Sequence, residues 1–506
     1  MVVEDQSEVA AFLADPRTWG VDRVERIDTH GAMVFLAGDR AYKLKRAVKF
    51  PFMDFSTLAL RERACAAELR VNRRTAPQLY LGTARVTREG EGLAIDGPGP
   101  AVDWIVVMQR FDQERLLDRI AARGALDDAL AERVACAVAA FHASVERCEG
   151  FGRSADIVAL IADVGANMAA QPALDEGARA ALIAACSQAF RDAGALIDSR
   201  QRAGFVRWCH GDLHLRNICV LEGGPTLFDA IEFNDSFCCT DTLYDLAFLV
   251  SDLCRIALRP AANRVLNRYL EETGDWDGVP LLPLFLALRA GILAYTLAAS
   301  AQAQRDPART EALAADARRC LALGRQFLAP QAGRIVAIGG LSGSGKSTAA
   351  RALAPALGRI PGAVILRSDV LRKRRAGVAP TTPLGPEHYG PGSSEAVYRE
   401  LRERASVLAR AGQAVVVDAV FARAAERDML ADAARASGVA FAGFWLDVAP
   451  AVAAARVAAR RGDASDATVA VVEQQRGYDL GRIDWTRIDA APGAVAVTET
   501  LRRALA

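Results

Sequence analysis

Residues 210–217 read His-Gly-Asp-Leu-His-Leu-Arg-Asn and lie between two short apolar runs, 204–209 and 218–221, which makes them a polar loop between hydrophobic elements. An aspartate and an asparagine five residues apart suit phosphoryl transfer. Asp212 can accept the proton of an attacking hydroxyl, and Asn217 can hold a metal ion on the phosphates. A second metal ligand belongs at the end of the next strand. Asp229 is the first choice there, with Glu232 and Asp235 as rivals. Upstream, Lys43 ends a predicted strand and could neutralise α- and β-phosphates. Glu68, or alternatively Glu62, could pair with it from the following helix. Lys45, Arg46 and Lys49 crowd nearby, so a solvated strand-edge lysine is the competing reading.

A second phosphate-handling signature lies at 340–347, Gly-Leu-Ser-Gly-Ser-Gly-Lys-Ser, with a buried strand (334–339) before it and a helix (348–357) after it. This is the Walker A pattern in the context it requires. Gly340, Gly343 and Gly345 free the backbone so that N–H groups along Ser342, Ser344 and on to Thr348 can wrap phosphates at a helix N-terminus. Lys346 would reach the β- and γ-phosphates, and Ser347 would offer its hydroxyl to Mg2+. Further buried strands at 363–366, 414–417 and 440–446 alternate with helices, as in a parallel α/β sheet. Such sheets place chemistry at strand C-terminal ends. The first of these strands runs into Asp369, a candidate base, with Arg372 close by on the substrate side. The second ends in Asp418, a metal-side or substrate carboxylate, or simply a loop cap. Arg456 and Arg460 share a face of helix 451–461 and could close over the phosphates as a lid, against the plainer reading of a solvated basic face. His388 lies in a Gly/Pro-rich stretch, 381–392, expected to be a mobile substrate-side loop.

The elements that must position these groups differ between the two halves. Strands at 24–27, 32–37, 40–44, 79–86, 92–95 and 104–109 with a helix at 57–75 form a small β lobe. Ala-rich helices at 127–148, 156–168 and 175–202 follow, then a helix at 243–256 preceded by Asp241 and Asp245, read as caps and loop pins. His142 sits on an apolar helix face and reads as a satisfied core histidine. The expected domains are 1–328 (β lobe about 1–108, helical lobe about 112–328), a linker at 329–333, and 334–506. At 506 residues the chain is too long for one ordinary core. Its net charge of +1 offers no bulk attraction for nucleic acid or an anionic membrane. Run 281–301 is the most apolar but contains Arg289, so a buried helix is expected there instead of a membrane span. Ten cysteines without a Cys-x-x-Cys pair read as buried free thiols, and without a secretory pattern at the N-terminus a reducing cytoplasm is expected.

The 210–217 run resembles the catalytic loop of the aminoglycoside phosphotransferase and choline kinase group, a branch of the protein-kinase-like fold, over roughly residues 1–325. The resemblance implies Asp212 as base, Asn217 and Asp229 as metal ligands, and Lys43 with Glu68 as the strand–helix ion pair. Two departures stand out: no clear Gly-rich loop precedes Lys43, and the acidic motif reads Asp-Ala-Ile-Glu-Phe. Residues 334–506 resemble small-molecule P-loop kinases such as gluconate kinase and zeta toxin. The whole is similar to a bacterial fusion of an aminoglycoside phosphotransferase domain with an AAA-type ATP-binding domain.

Three functions follow as expectations. The first is an ATP- and Mg2+-dependent phosphotransferase with two nucleotide sites, acting on a hydroxyl of a small molecule such as a sugar, polyol or aminoglycoside-like compound. The second is one catalytic half regulated by a nucleotide-binding half. The third, a nucleic-acid kinase, is disfavoured by the neutral charge and the lack of a basic patch interleaved with aromatics. The residues choose neither between ATP and GTP nor among oligomeric states.

Overall fold

A computed structural model describes residues 3–29, 31–50, 53–459 and 464–505. The chain divides into two compact units, Met1–Asp127 with Ala140–Arg153 and Ser199–Leu249, and Asp128–Ala139 with Ser154–Asp198 and Val250–Ala506.

In the first unit β1 (Val24–Asp28), β2 (Ala32–Ala37), β3 (Arg40–Lys45), β6 (Tyr80–Glu89), β7 (Gly92–Ile95) and β8 (Ala101–Gln109) form an antiparallel sheet of order β1-β2-β3-β8-β6-β7. A small hairpin, β4 (Lys49–Phe50) and β5 (Met53–Asp54), stands apart from it. Side chains alternate across the sheet. Met33, Phe35, Leu44 and Ile105 pack against Val9 and Leu13 of the N-terminal helix. Ala41 and Val106 face the other way, against Cys65 and Leu69 of the helix Leu58–Asn72. The period of two therefore sends Lys43 and Lys45 toward that helix as well. Thr57 caps the helix, its hydroxyl accepting from Leu60 N at 3.3 Å. Two short antiparallel pairs complete the unit: β9 (Val206–Trp208) with β12 (Cys239–Asp241), and β10 (Ile218–Leu221) with β11 (Gly224–Leu227).

The cysteines correct one expectation. Cys148 and Cys239 form a disulfide with Cα atoms 5.6 Å apart, while eight others are free thiols. Cys239 lies on β12 opposite Trp208, and Cys148 N donates to Val206 O, so β9 draws together residues 91 positions apart.

The second unit combines helices with a five-stranded, wholly parallel sheet of order β14-β15-β13-β16-β17, where β13 is Arg334–Gly339, β14 Val364–Arg367, β15 Ala414–Asp418, β16 Ala440–Asp447 and β17 Thr486–Asp489. The strand β17 was not expected: Thr-Arg-Ile-Asp buries only Ile488. The helix after the glycine loop spans Lys346–Leu353, shorter than expected, because Pro355 converts its last turn to a 3-10 segment, Ala354–Ala356. Gly333 comes so close to a neighbouring helix that a Cβ would lie 1.8 Å from Ala409 O. Two stretches, Trp276–Gln302 and Glu176–Ala203, are long and apolar enough to cross a membrane. The most apolar window of the first is 72% buried within the chain, as in a core helix. That of the second is 17% buried, and the helix carries Arg191 and Asp192 near its middle.

The Glu68-bearing helix is fixed to the sheet by a fully buried ion pair, Arg61 Nε to Asp103 Oδ1 at 2.8 Å, with Gln6 Nε2 donating to the other Asp103 oxygen at 2.7 Å. Removing Asp103 leaves the buried Arg61 with, among the described residues, only the exposed Glu4 as counter-ion, at 2.8 Å. Asp103→Ala should cost about 3 kcal/mol of stability, whereas Arg61→Met with Asp103→Leu should cost clearly less. Urea denaturation of both variants, followed at the unit's own transition, checks the difference.

Candidate phosphotransfer sites

The centre of the first unit is an alternating array of buried charge. Lys43 Nζ lies 2.8 Å from Glu68 Oε1 and 2.6 Å from Asp229 Oδ1. Lys45, two residues along the same face of β3, pairs with the other Glu68 oxygen and with Glu232. The alternative partner Glu62 is exposed. Burial works against the charge on Lys43, but the Asp229 and Glu68 carboxylates outweigh it and hold its pKa well above the ordinary lysine range. Burial likewise opposes the Glu68 charge, and the two lysines overcome it to keep the carboxyl below its usual range. Asp229 is partly open, its side chain 43% exposed, while Glu232 is shut in at 6% with Lys45 as counter-ion.

Asp229 takes a left-handed backbone, φ 59°, a costly conformation for a residue with a side chain. The Tyr80 hydroxyl accepts from its N–H at 3.1 Å, and Asn72 Oδ1 accepts from Ala230 N at 2.8 Å. The 210–217 loop is tied to the same segment. His210 Nε2 donates to Phe228 O at 2.9 Å, Phe228 N donates to Asn217 O, and Ile231 N donates to His210 O. Burial lowers the His210 pKa, which suits a neutral ring that donates from Nε2 and accepts from Asp212 N at Nδ1. Asp245 accepts from His210 N and Gly211 N and meets His142 Nε2 at 3.0 Å. Asp241 caps its helix through Leu243 N and pairs with Arg200. Within the loop, Asn217 Nδ2 donates to Asp212 O at 2.9 Å and Oδ2 at 3.1 Å, and His214 Nε2 sits 3.3 Å from the same oxygen. That leaves the Asn217 amide oxygen and the Asp229 carboxylate as the hard-oxygen donors that a magnesium ion requires.

In the second unit the glycine loop closes tightly. A Cβ on Gly340 would lie 2.6 Å from Leu446 O, and one on Gly343 2.5 Å from Ala453 O, and both residues have positive φ. Lys346 Nζ donates to Leu341 O at 3.0 Å, and Ser347 Oγ donates to Asp418 Oδ2 at 2.6 Å. Hydroxyl and carboxylate together fit a magnesium ion beside a phosphate cradle. Asp369 lies in the first turn of the helix Ser368–Arg375. Burial pushes its pKa up, against the pull of Arg367 and with a further push from Asp418. Arg372 donates to His388 O at 2.6 Å and lies over the Tyr389 ring. Stretch 381–392 is not a free loop: it holds a 3-10 turn, Pro386–Tyr389, and Asp466, itself paired with Lys373, accepts from Tyr389 Oη and Leu384 N. Arg456 reaches Ala490 O at 2.9 Å and lines, with Lys346, Asp369, Arg372 and Asp418, a cavity of about 1430 Å3. Arg460 lies outside the described residues. Sequence reasoning gave no role to Lys45, Tyr80, Asn72, His214 or Arg367. His214, inside the loop motif itself, was the one with a visible signal.

Residues 32–282 match the phosphotransferase enzyme family, and residues 335–478 match an AAA domain. Uncharacterized protein Rv2004c of Mycobacterium tuberculosis is 31% identical over 481 residues, 92% of each chain, and Mb2027c of Mycobacterium bovis shows the same figures. Solved structures with a likeness include a choline/ethanolamine kinase family protein from Mesorhizobium loti (16% identity, 63% of this chain and 99% of that one, TM-score 0.35). Another is the Mycobacterium tuberculosis APS kinase CysC with AMPPNP and APS (21% identity, 35% of this chain and 100% of that one, TM-score 0.27). The chain belongs to the same family as these mycobacterial proteins, and it is a kinase that joins a phosphotransferase-family fold to a P-loop kinase fold.

Proposed function

We propose that the chain has two ATP-dependent phosphotransfer sites, each acting on a hydroxyl of a small molecule of the sugar, polyol or aminoglycoside-like class. The observation that carries this reading is a repeated one. Each unit gathers a lysine, a pair of hard-oxygen donors and a carboxylate suited to act as base. In the first unit Asp212 accepts the hydroxyl proton, Lys43 holds the α- and β-phosphates, and Asn217 with Asp229 forms the metal site. Asp229 takes that role over Glu232 because Lys45 already neutralises Glu232 in a closed position. In the second unit the glycine loop and Lys346 hold the phosphates, Ser347 and Asp418 form the metal site, Asp369 is the base with Arg372 beside the acceptor, and Arg456 covers the transferring group. Mg2+, when bound, offsets phosphate charge and fixes the in-line geometry.

ADP release from ATP and Mg2+, measured across sugars, polyols, aminoglycosides and nucleosides, tests the reading. Asp212→Ala should lower turnover with one class of acceptor by roughly a hundredfold to ten-thousandfold. Lys346→Ala should do so with another. Acceptor-independent turnover lost only in Lys346→Ala would replace the two-kinase reading with a regulatory ATPase half. Full turnover in both variants would discard the site assignments.

The raised Asp369 pKa has a kinetic sign. A base must be ionised, so kcat/KM of the Lys346-dependent reaction should fall on acidification through a pKa above the usual carboxylate value of about 4. Asp369→Asn should abolish that reaction and its acid limb together. An acid limb at about 4 or below would remove Asp369 as base.

A further inference from the structure

The strand β14 is the edge of the parallel sheet, and its free backbone is met by side chains of the helix Arg259–Thr273. Asn267 behaves like a short piece of strand: its Oδ1 accepts from Ile365 N at 2.7 Å, and its Nδ2 donates to Ala363 O at 3.1 Å. Asn263, one turn earlier, donates to Ala363 O at 3.0 Å. Arg374 Nη1 and Nη2 donate to the carbonyls of Glu272 and Thr273 at the helix C-terminus, at 3.0 and 2.8 Å. Spacing of four residues puts Asn263, Asn267 and Glu271 on one face of the helix. The third of these lies beyond the strand backbone, beside the site.

Glu271 Oε1 is 3.6 Å from Arg367 Nη1. The same guanidinium reaches Asp418 Oδ2 from Nε at 3.4 Å and Ser347 Oγ from Nη2 at 3.3 Å. Glu271, Arg367 and Asp418 are all buried, at 5%, 2% and 4% exposure. The second Glu271 oxygen faces Arg268 at 3.8 Å. One buried cation is thus shared between a carboxylate at the proposed metal site and a carboxylate on a helix outside the sheet.

We propose that Glu271 is a positioning residue for the P-loop metal site, acting through Arg367 to set how readily Ser347 and Asp418 accept a divalent cation. This rests on the reading of Ser347 and Asp418 as that site. The Arg367 guanidinium repels a divalent cation at those oxygens and competes for Asp418. Glu271 cancels part of that charge and draws the guanidinium away from Asp418, at a depth where solvent screens little. The phosphate cradle therefore works at its full metal affinity only with the helix Arg259–Thr273 in place.

The test uses the full chain and two readouts. One is the free Mg2+ that gives half-maximal Lys346-dependent ATP turnover. The other is Mn2+ affinity in the presence of ADP by electron paramagnetic resonance, for the class of ions lost in Ser347→Ala. Glu271→Gln should raise the Mg2+ midpoint and the Mn2+ dissociation constant by roughly fivefold or more. Arg367→Met should lower both, and adding Glu271→Gln to Arg367→Met should change nothing further. Asn267→Ala removes bonds to the strand backbone while Asn263 and Arg374 still hold the helix in place, so it should lower Tm and leave both metal readouts at wild-type values. Unchanged midpoints in Glu271→Gln overturn the proposal. So does an equal shift in Asn267→Ala, or a Glu271→Gln effect that survives in the Arg367→Met background. If Glu271→Gln does not fold, a raised midpoint in Arg367→Met overturns it. Absence of any Lys346-dependent turnover and of any Ser347-dependent Mn2+ in the wild type would instead strike the reading on which the proposal rests.

Discussion

A buried lysine must stay ionised and aimed inside a protein interior that favours neutral groups. Burial alone lowers the Lys43 pKa, and Asp229 with Glu68 outweighs it. Much of the local structure follows from that requirement. Glu68 needs a helix laid across the sheet, and the helix needs Arg61 and Asp103 to hold it there. A second lysine, Lys45, allows Glu68 to be fully buried, because one carboxylate then answers two cations. Glu232 completes the charge balance. The second unit meets the same requirement with different residues: Arg367 is shared between Asp418 and Glu271, and Lys373 is buried against Asp466. In both units the charged groups come from separate elements, so charge balance and tertiary packing are one condition.

Aim is the other half of the constraint. Asp229 stands in a backbone conformation that its side chain disfavours, and it stays there because a tyrosine hydroxyl and an asparagine amide take up the neighbouring N–H groups. Backbone bonds from Phe228 and Ile231 fasten the Asp212 loop to the same segment, so Asp212, Asn217 and Asp229 are set by one framework. The glycine loop reaches a comparable rigidity by close approach, since neither Gly340 nor Gly343 has room for a Cβ.

Local patterns were legible in the sequence, and compensation was not. The 210–217 loop and the 340–347 loop declare themselves because their motif residues are neighbours in the chain, and alternation of strands with helices marks the parallel sheet. The pairing of Lys43 with Glu68 could be anticipated from strand and helix assignments alone. Lys45 could not be separated from Arg46 and Lys49, because only the covering helix makes it a buried residue. The strand β17 escaped because an edge strand with one buried side chain has no periodicity to find. Cys148 and Cys239 are joined through β9, which no spacing rule encodes. No pattern in the sequence marks Asn263 and Asn267, each of which is buried and spent on strand backbone.

Those asparagines bear on why the second unit is built as it is. A parallel sheet with a bare edge offers unpaired N–H and C=O groups to any passing strand. At β14 the amide side chains satisfy Ile365 N and Ala363 O without adding a strand, and they also fix the register between helix and sheet to within one residue, since Asn267 must meet both. Once that register is set, the residue one turn further along the helix can only face the end of β14, where Arg367 and the oxygens of Ser347 and Asp418 lie. Edge protection therefore determines which helix position can influence the end of β14, and a carboxylate at that position gives the helix an electrostatic hold on Arg367 beside Ser347 and Asp418 as well as a structural one.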